Sequence, residues 1–294
     1  MTANPTVRSG RRWIARGLAL CLAVILTIGL SLGGYLASRE ATEQPSIIFG
    51  EEETTADRVD IAAWVTRVDV ESQTVAITVA DVRPQGSLAR PNGTFAEGAR
   101  LETNAVRNEP VDVAAGEWLP NQEQSFAMNG TVTDFPFDRY TSFLSFRMTG
   151  ADGTEIPLAV TIWSTDAFFV ISPDYDPEQD DWLNVDLDVK RSPPTMIFGV
   201  FIMVLMLGLS FAAALAAYYV IRHRQGFDFN AYGVMAALLF AMVPLRNAIP
   251  GDPPIGSVID FMAFFIAEAI ISISLITSVV VGYRHQMHID RTVR

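Results

Sequence analysis

The chain contains one cysteine, one lysine and three histidines among its 294 residues. Cys21 cannot form a disulfide within one chain, so any domain here has to fold through its hydrophobic core. No nucleophile elbow, phosphate-binding loop or dinucleotide-binding fingerprint is present. The cysteine lies inside an apolar run and the histidines flank such runs, which leaves no evident nucleophile and base in a folded domain. The sequence therefore predicts no enzymatic activity, no cofactor and no metal site.

The charge of the chain is unevenly distributed. Half of the residues are hydrophobic, yet the formal net charge is −12. Residues 38–194 hold 28 acidic and 11 basic side chains, a net of −17, and the remainder holds 5 and 10, a net of +5. An acidic surface lacks the basic footprint that nucleic acid requires. We therefore expect no nucleic-acid partner.

Four apolar runs are long enough, or nearly so, to cross a hydrocarbon core that needs about 20 apolar residues. The runs 17–38, 192–221 and 229–245 carry no charge, and the run 261–283 carries only Glu268. The predicted spans are residues 17–38, 195–221, 229–249 and 257–283. Membrane lipid is therefore an expected partner.

Basic residues set the predicted orientation, because the cytoplasmic flanks of membrane spans carry an excess of Lys and Arg. Arginines occur in residues 1–16, after the second span and in the tail 284–294. We predict that both termini are cytoplasmic, and that residues 38–194 and the connection 249–256 are extracytoplasmic. The protein is then a multi-pass protein of the cell (inner) membrane.

The first span has two interpretations. Basic residues precede it and small residues end it, as in a signal peptide, but its length favours a retained anchor. Gly29 and Gly33 lie four residues apart, a spacing that lets membrane helices approach closely, although glycine is also common in such helices.

The segment between the first two spans is predicted to be a polar linker over 39–58 followed by a β-domain over 59–194. "TVAITVADV" (74–82) and "LNVDLDV" (183–189) alternate clearly, and Gly, Pro and Asn clusters separate the strand-like segments. About eight short strands without a helix indicate a β-sandwich. The predicted fold class is a membrane α+β protein, with an extracytoplasmic β-sandwich, one N-terminal and three C-terminal transmembrane helices.

The stretch "VTDFPFDRYTSF" (132–143) predicts a stiff aromatic hook. Phe135 and Phe137 lie two apart, so an extended segment would direct both rings to one face. Pro136 fixes its own φ and keeps Phe135 out of the α region, and Asp138 adds a charge.

The last predicted strand ends with Lys190 and Arg191 and runs through "SPP" directly into the second span. A strand that continues into a membrane helix through a stiff double proline can transmit a displacement.

Three charged residues fall within or near the last two spans. A carboxylate at the position of Glu268 costs at least ~2 kcal/mol, so it must be protonated, face the bundle interior or line water. Proton or cation coordination and a buried hydrogen bond both remain open. Arg246 and Asp260 lie at similar depth, where they can form a structural pair.

Two other groups resemble metal sites only weakly. The acidic loop "SPDYDPEQDDW" (172–182) lacks the glycine and closing glutamate of an EF-hand, which favours a solvated loop. His285 and His288 have helical spacing but carry no metal prediction.

Over residues 130–285 the order of motifs resembles the pentameric ligand-gated ion channels. "FPFD" is followed by a strand ending "KRSPP", a helix, a second helix, the linker "PPIG" and a third helix ending "YRHQ". The resemblance implies that Phe135 to Asp138 lie at the membrane end of the β-domain, near Arg191 and the 250–256 linker. The chain departs from that family because it has no cysteine pair around the loop and no fourth helix after the third. It also lacks a hydroxyl ladder in "AYGVMAALLFAMVPLR".

The whole chain is also similar to an uncharacterised bacterial membrane-protein family, a domain of unknown function. The run "LR..IPG.PP.G...D" (245–260) carries this similarity, which implies no activity.

Together these features predict receptor-like or channel-like coupling of the β-domain to the helices, in a homo-oligomer or with a membrane-protein partner. The ligand is unknown. A structural or accessory subunit of a cell-envelope complex is the alternative.

Overall fold

The computed structural model describes residues 25, 29, 31–36, 47–50, 55–107, 109–175, 182–223, 229–251 and 253–292. Within this part of the chain, ten β-strands precede three long helices. The strands are β1 (Ile47–Gly50), β2 (Val59–Asp69), β3 (Thr74–Pro84), β4 (Ala99–Thr103), β5 (Val111–Val113), β6 (Gln122–Gly130), β7 (Arg139–Gly150), β8 (Leu158–Ser164), β9 (Phe169–Tyr175) and β10 (Leu183–Arg191).

All ten strands are hydrogen-bonded into one sheet, where the sequence predicted a two-sheet sandwich. The main order is β1-β8-β2-β3-β6-β7-β10-β9, and β4 joins β7 to β5. β2 and β8 are parallel, and the other pairs are antiparallel. β1 also approaches β10. The sheet therefore curves into a nearly closed barrel around its apolar core. We call this part of the chain the β-domain.

The strand β1 lies within residues 39–58, which the sequence predicted to be a polar linker. Residues 47–50 instead pair with β8, with Phe49 opposite Val160. Phe49 is buried in the core of the β-domain. Four residues are too short to show a period of two, so only the pairing with a distant strand reveals them.

The C-terminal helices differ slightly in their bounds from the predicted spans. They are α2 (Pro193–Arg222), α3 (Phe229–Asn247) and α4 (Phe265–Thr292), which continues a π-helical turn at Asp260–Phe264. Among the described residues, three helical stretches are long and apolar enough to cross a membrane, and the last of them is Asp260–His288. The helix therefore runs into the predicted tail 284–294, because no Gly or Pro follows Gly282 to end it.

Most of the predicted first span lies outside the described residues. Within it, residues 31–36 are helical, and we call them α1. A Cβ added at Gly29 or Gly33 would meet no atom within 4 Å, whereas one added at Gly34 would lie 3.4 Å from the Ile197 side chain. A packing role for Gly29 and Gly33 stays a prediction.

The β-domain and the helices have separate apolar cores. Alternation along β10 buries Val185, Leu187 and Val189 in the first core. The second core consists of residues from α2, α3, α4 and their connection. One further residue belongs to this second core although it precedes β7, and that residue is Phe135.

Candidate functional site

The two parts of the molecule meet where β10 becomes α2. Arg191 occupies the last inward position of β10, following the buried Val189 and the exposed Lys190. Ser192 is the only residue between this strand and Pro193 at the start of α2. The alternation of the strand thus directs a guanidinium inward at the end of the β-domain that adjoins the helices.

The carboxylate of Asp138 neutralises this guanidinium. Nε of Arg191 donates to Oδ1 and Oδ2 of Asp138 at 3.1 and 3.0 Å. The two side chains are 1% and 0% exposed, so the pair is withdrawn from water. The hydroxyl of Tyr140 donates to Oδ2 of Asp138 at 2.7 Å. Burial and this hydrogen bond raise the pKa of Tyr140.

Two aromatic rings enclose the guanidinium. The centroids of Phe169 and Phe135 lie 4.3 and 4.9 Å from Cζ of Arg191. Phe169 pairs directly with Arg191 in the β9–β10 register, which explains its position. Such placements are favourable because the face of an aromatic ring attracts a cation.

The third contact of Arg191 is with the connection between α3 and α4. Nη1 lies 3.5 Å from the carbonyl oxygen of Gly251, to which it donates. Gly251 has φ +80°, and a Cβ there would collide with Nη1. The Nη2 atom is buried and has no hydrogen-bond partner among the described residues. We call Phe135, Asp138, Tyr140, Phe169, Arg191 and Gly251 the junction.

The hook 135–138 differs from the sequence prediction. Phe135 is fully buried among the helices, but Phe137 is 61% exposed, so the rings do not share a face. The segment is a turn instead of an extended strand: N–H of Phe137 donates to the carbonyl of Asp134 at 2.8 Å, and the Phe135–Pro136 peptide bond is cis. The prediction that Phe135 lies outside the α region is correct, since its ψ is 132°.

The hook also packs against α2. A Cβ added at Gly199 would lie 3.1 Å from Cβ of Pro136 and 3.2 Å from Cε1 of Phe135. The absence of a side chain at Gly199 therefore lets the hook approach the helix backbone. Lys190, which the sequence grouped with the hook, is exposed on the other face of β10 and takes no part in the junction.

The entry into α2 is fixed by a second set of hydrogen bonds. Ser192 donates its N–H to Phe168 at 2.8 Å and its hydroxyl to Ala167 at 3.1 Å, in both cases to the carbonyl. The hydroxyl also lies 2.9 Å from that of Thr195 in the first turn of the helix.

A cleft of about 730 Å³ opens beside the junction. Phe169 and Gly251 line it and both also contact Arg191. The end of β2, the loop before β9 and Pro250 form the remaining walls. Asp166 is fully engaged there, because it accepts N–H bonds from Val68 and Phe168, both at 2.8 Å.

Arg246 and Asp260 form the pair that the sequence allowed. Nε and Nη2 of Arg246 donate to the carboxylate at 2.9 and 3.0 Å, and Nη2 also donates to the carbonyl of Pro254 at 3.0 Å. N–H of Gly256 donates to Asp260 at 2.7 Å. This network fixes the α3–α4 connection, which carries Gly251.

The other candidates do not join the junction. Glu268 is half-buried on α4, and no described residue forms a hydrogen bond or ion pair with it. In the acidic loop 172–182, residues 176–181 lie outside the described residues. No group of three or more metal-binding side chains occurs in the part of the chain that the structure describes.

Sequence reasoning missed Tyr140 and Phe169. The resemblance implied that the 250–256 linker lies near Arg191, but it did not identify the Gly251 carbonyl as the contact. Phe169 directly follows Phe168 at the start of β9, and nothing in the local sequence indicates which ring faces inward. The dipeptide "PG" at 250–251 indicates a turn, but it does not indicate which group of the turn faces Arg191.

Comparison with known families divides the chain at the junction. Residues 49–189 match the family model described as domain of unknown function DUF4436, and residues 191–285 match that of domain of unknown function DUF8686. No curated protein matches the chain. The ion pair of Asp138 with Arg191 therefore joins two regions that resemble different uncharacterised families, and neither family brings an activity to this protein.

Proposed function

We propose that this is a non-enzymatic, multi-pass protein of the cell membrane, in which the β-domain is coupled to the helices in a receptor-like manner through the junction. One observation carries the proposal. The buried guanidinium of Arg191 bonds the carboxylate of Asp138 in the β-domain and the carbonyl of Gly251 between α3 and α4.

The surface of the helices supports the membrane placement. Large apolar side chains on all three helices are exposed in the single chain, including Phe211 at 63%, Phe240 at 79% and Ile273 at 64%. Such a surface would associate in water but is suited to lipid. The acidic β-domain and the basic helix ends support an extracytoplasmic β-domain with both termini in the cytoplasm.

The physical chemistry of the junction supports transmission. A buried charge pair is held in place, because separating its members leaves an uncompensated charge at a cost of about 3–5 kcal/mol. Displacement of β10 or of the hook would therefore move Arg191 and Asp138 together. Since Ser192 alone separates β10 from α2, little slack is available to absorb the movement.

The cleft beside the junction is where we place an effector. It is lined by both the β-domain and the α3–α4 connection, so an occupant would contact the two parts at once. Such an occupant changes their relative position only if it binds one arrangement more tightly than another.

The decisive experiment changes the α3–α4 connection and measures the labelling rate of a thiol near the opposite end of α3. Cys21 is the only cysteine, so Cys21→Ala gives a background for a reporter at Val234→Cys, an exposed position in the inner half of α3. Gly251→Ala is the test variant, since its Cβ would displace Arg191. Gly256→Ala is the matched control, with φ +94° but no atom within 4 Å of an added Cβ.

Coupling predicts that Gly251→Ala changes the thiol-labelling rate at position 234 about threefold or more relative to Gly256→Ala at a temperature where both variants are folded. An equal labelling rate combined with a lower midpoint for Gly251→Ala would support the structural or accessory role and contradict coupling. Ion flux in proteoliposomes, measured on the same variants, tests whether the coupled movement opens a conducting path.

A further inference from the structure

Glu268 is an acidic side chain that the junction does not use. It lies eight residues after Asp260, or about 12 Å along the helix axis, and sixteen residues before Arg284, or about 24 Å. If Asp260 and Arg284 mark the two ends of the span, Glu268 lies within the hydrocarbon layer of about 30 Å. The inference uses this membrane placement but not the coupling role of the junction.

Nothing in the described part of the chain neutralises this carboxyl group. Arg246, near the end of α3, is already bonded to Asp260 and Pro254. A carboxylate inside a hydrocarbon layer is unfavourable unless it is paired, reaches water or is neutralised by a proton. A divalent cation would need six or more oxygen ligands, and the described residues supply no such group here.

A second polar group lies on the same flank of α4. Ser272 follows Glu268 by four residues, so the two side chains are neighbours on the helix. Neither has a hydrogen-bond partner among the described residues. The flank also carries Phe261, which is 62% exposed. It therefore combines an open apolar surface with two polar groups that lipid tails cannot satisfy.

We propose that Glu268 is a proton-binding site in the membrane, and that its carboxylic acid hydrogen-bonds across an interface with a second copy of this chain. A carboxylic acid both donates and accepts, so it is complementary to itself. A second copy would supply the same acid and the same Ser272 hydroxyl at the same depth. Two ionised carboxylates would repel each other, so the contact requires at least one proton.

The first arm of the test detects the proton. Dicyclohexylcarbodiimide reacts with protonated carboxylic acids in apolar surroundings, and peptide mass spectrometry locates the adduct. In the full-length protein at neutral pH we expect modification at Glu268 but not at Asp260, whose carboxylate is held by Arg246. Glu268→Gln should remove the adduct. The proposal is overturned if Glu268 stays unmodified in bilayer samples in which the carbodiimide modifies other residues.

The second arm measures self-association of the purified chain in detergent as a function of dilution. Glu268→Leu should weaken association about tenfold, which corresponds to the 1–2 kcal/mol of an interhelical hydrogen bond. Glu268→Gln should retain it, because an amide also donates and accepts, and Ser272→Ala should weaken it less. The control Thr277→Leu removes a polar group from the other flank of α4 and should leave association unchanged.

The outcomes separate this proposal from coupling. A monomeric wild-type chain, or equal association of the wild type and Glu268→Leu, overturns the interface. If Glu268→Leu does not fold, the other variants still test the interface. Equal association of Ser272→Ala and Thr277→Leu, together with a Glu268 that the carbodiimide does not modify, would also overturn the proposal. None of these results depends on thiol labelling at position 234, so coupling can fail while this site stands.

Discussion

Nη1 of Arg191, at the end of β10, lies 3.5 Å from the carbonyl oxygen of Gly251, sixty residues later in the chain. This contact joins the last strand of the β-domain to the turn between α3 and α4. The same guanidinium is bonded to Asp138, which lies 53 residues earlier. One side chain thus brings together three distant segments.

The contributions of Asp138 and Arg191 to the free energy of unfolding should be strongly coupled. Asp138→Ala and Arg191→Met should each lower the free energy of unfolding by about 3–5 kcal/mol, because each leaves one charge buried without its partner. The double variant should cost clearly less than the sum, since it leaves no unpaired charge. Denaturant unfolding of the four proteins in the same detergent measures this coupling. Strict additivity would contradict a direct interaction.

Tyr140 should make stability sensitive to alkaline pH. Its pKa is raised in the folded protein, mainly by burial. The stabilisation is therefore complete below about pH 10, the ordinary tyrosine value, and is lost as the pH rises above it, when the unfolded chain releases the proton first. Tyr140→Phe should cost about 1–2 kcal/mol at neutral pH, through loss of the bond to Asp138, and should flatten the alkaline decline.

Tyr175→Phe is the control for this experiment. The Tyr175 hydroxyl forms no hydrogen bond with the described residues, although the ring packs on Phe49. We expect its alkaline decline to match that of the wild type. Identical pH profiles for Tyr140→Phe and the wild type would show that Tyr140 does not cause the decline.

Gly199 should be intolerant of a side chain because the hook lies against it. Gly199→Leu would push Pro136 and Phe135 away from α2, and overpacking of this kind costs about 1–3 kcal/mol. Gly208→Leu lies on the same helix with no atom near its added Cβ, and should have little effect. The difference in thermal midpoint between the two variants measures the contact. Equal midpoints would mean that the hook is not packed on α2.

The pair of Arg246 with Asp260 should hold the α3–α4 connection. Asp260→Asn leaves a guanidinium that is only 11% exposed without its carboxylate, so protease cleavage within 250–257 should become at least tenfold faster. As a comparison, Asp81→Asn breaks the pair with Arg83, whose side chains are 53% and 62% exposed, and exposed pairs contribute at most about 1 kcal/mol. Unchanged cleavage in Asp260→Asn would contradict this role.

Local patterns were sufficient for the elements but not for their arrangement. Alternation predicted the segments that form β3 and β10, and uninterrupted apolar length predicted α2, α3 and α4 within a few residues, apart from the C-terminal end of α4. β1 was missed, since four residues carry no period. The parallel pairing of β2 with β8 was also beyond local reasoning, because it joins segments about 100 residues apart.

The candidate site was predictable only in part. The order of motifs led to Asp138 and Arg191, and the structure brings these two residues together. Phe135 and Phe137 were expected on one face, but the turn at Asp134 separates them. Phe169 and Tyr140 could not be found, since their roles follow from the register of β9 and β7 against β10.

By itself, the sequence determined which segments are apolar helices, which are alternating strands, and that β10 runs into α2 through two prolines. These properties depend on residues close together in the chain, for which period and length suffice. The motif order implied that Asp138 lies near Arg191 and the 250–256 linker. The tertiary structure alone decided which groups meet there, since the Phe169 ring and the Gly251 carbonyl contact Arg191, and it left Glu268 without a described partner. Contacts of this kind depend on strand register and helix rotation, which are set by packing across the whole molecule.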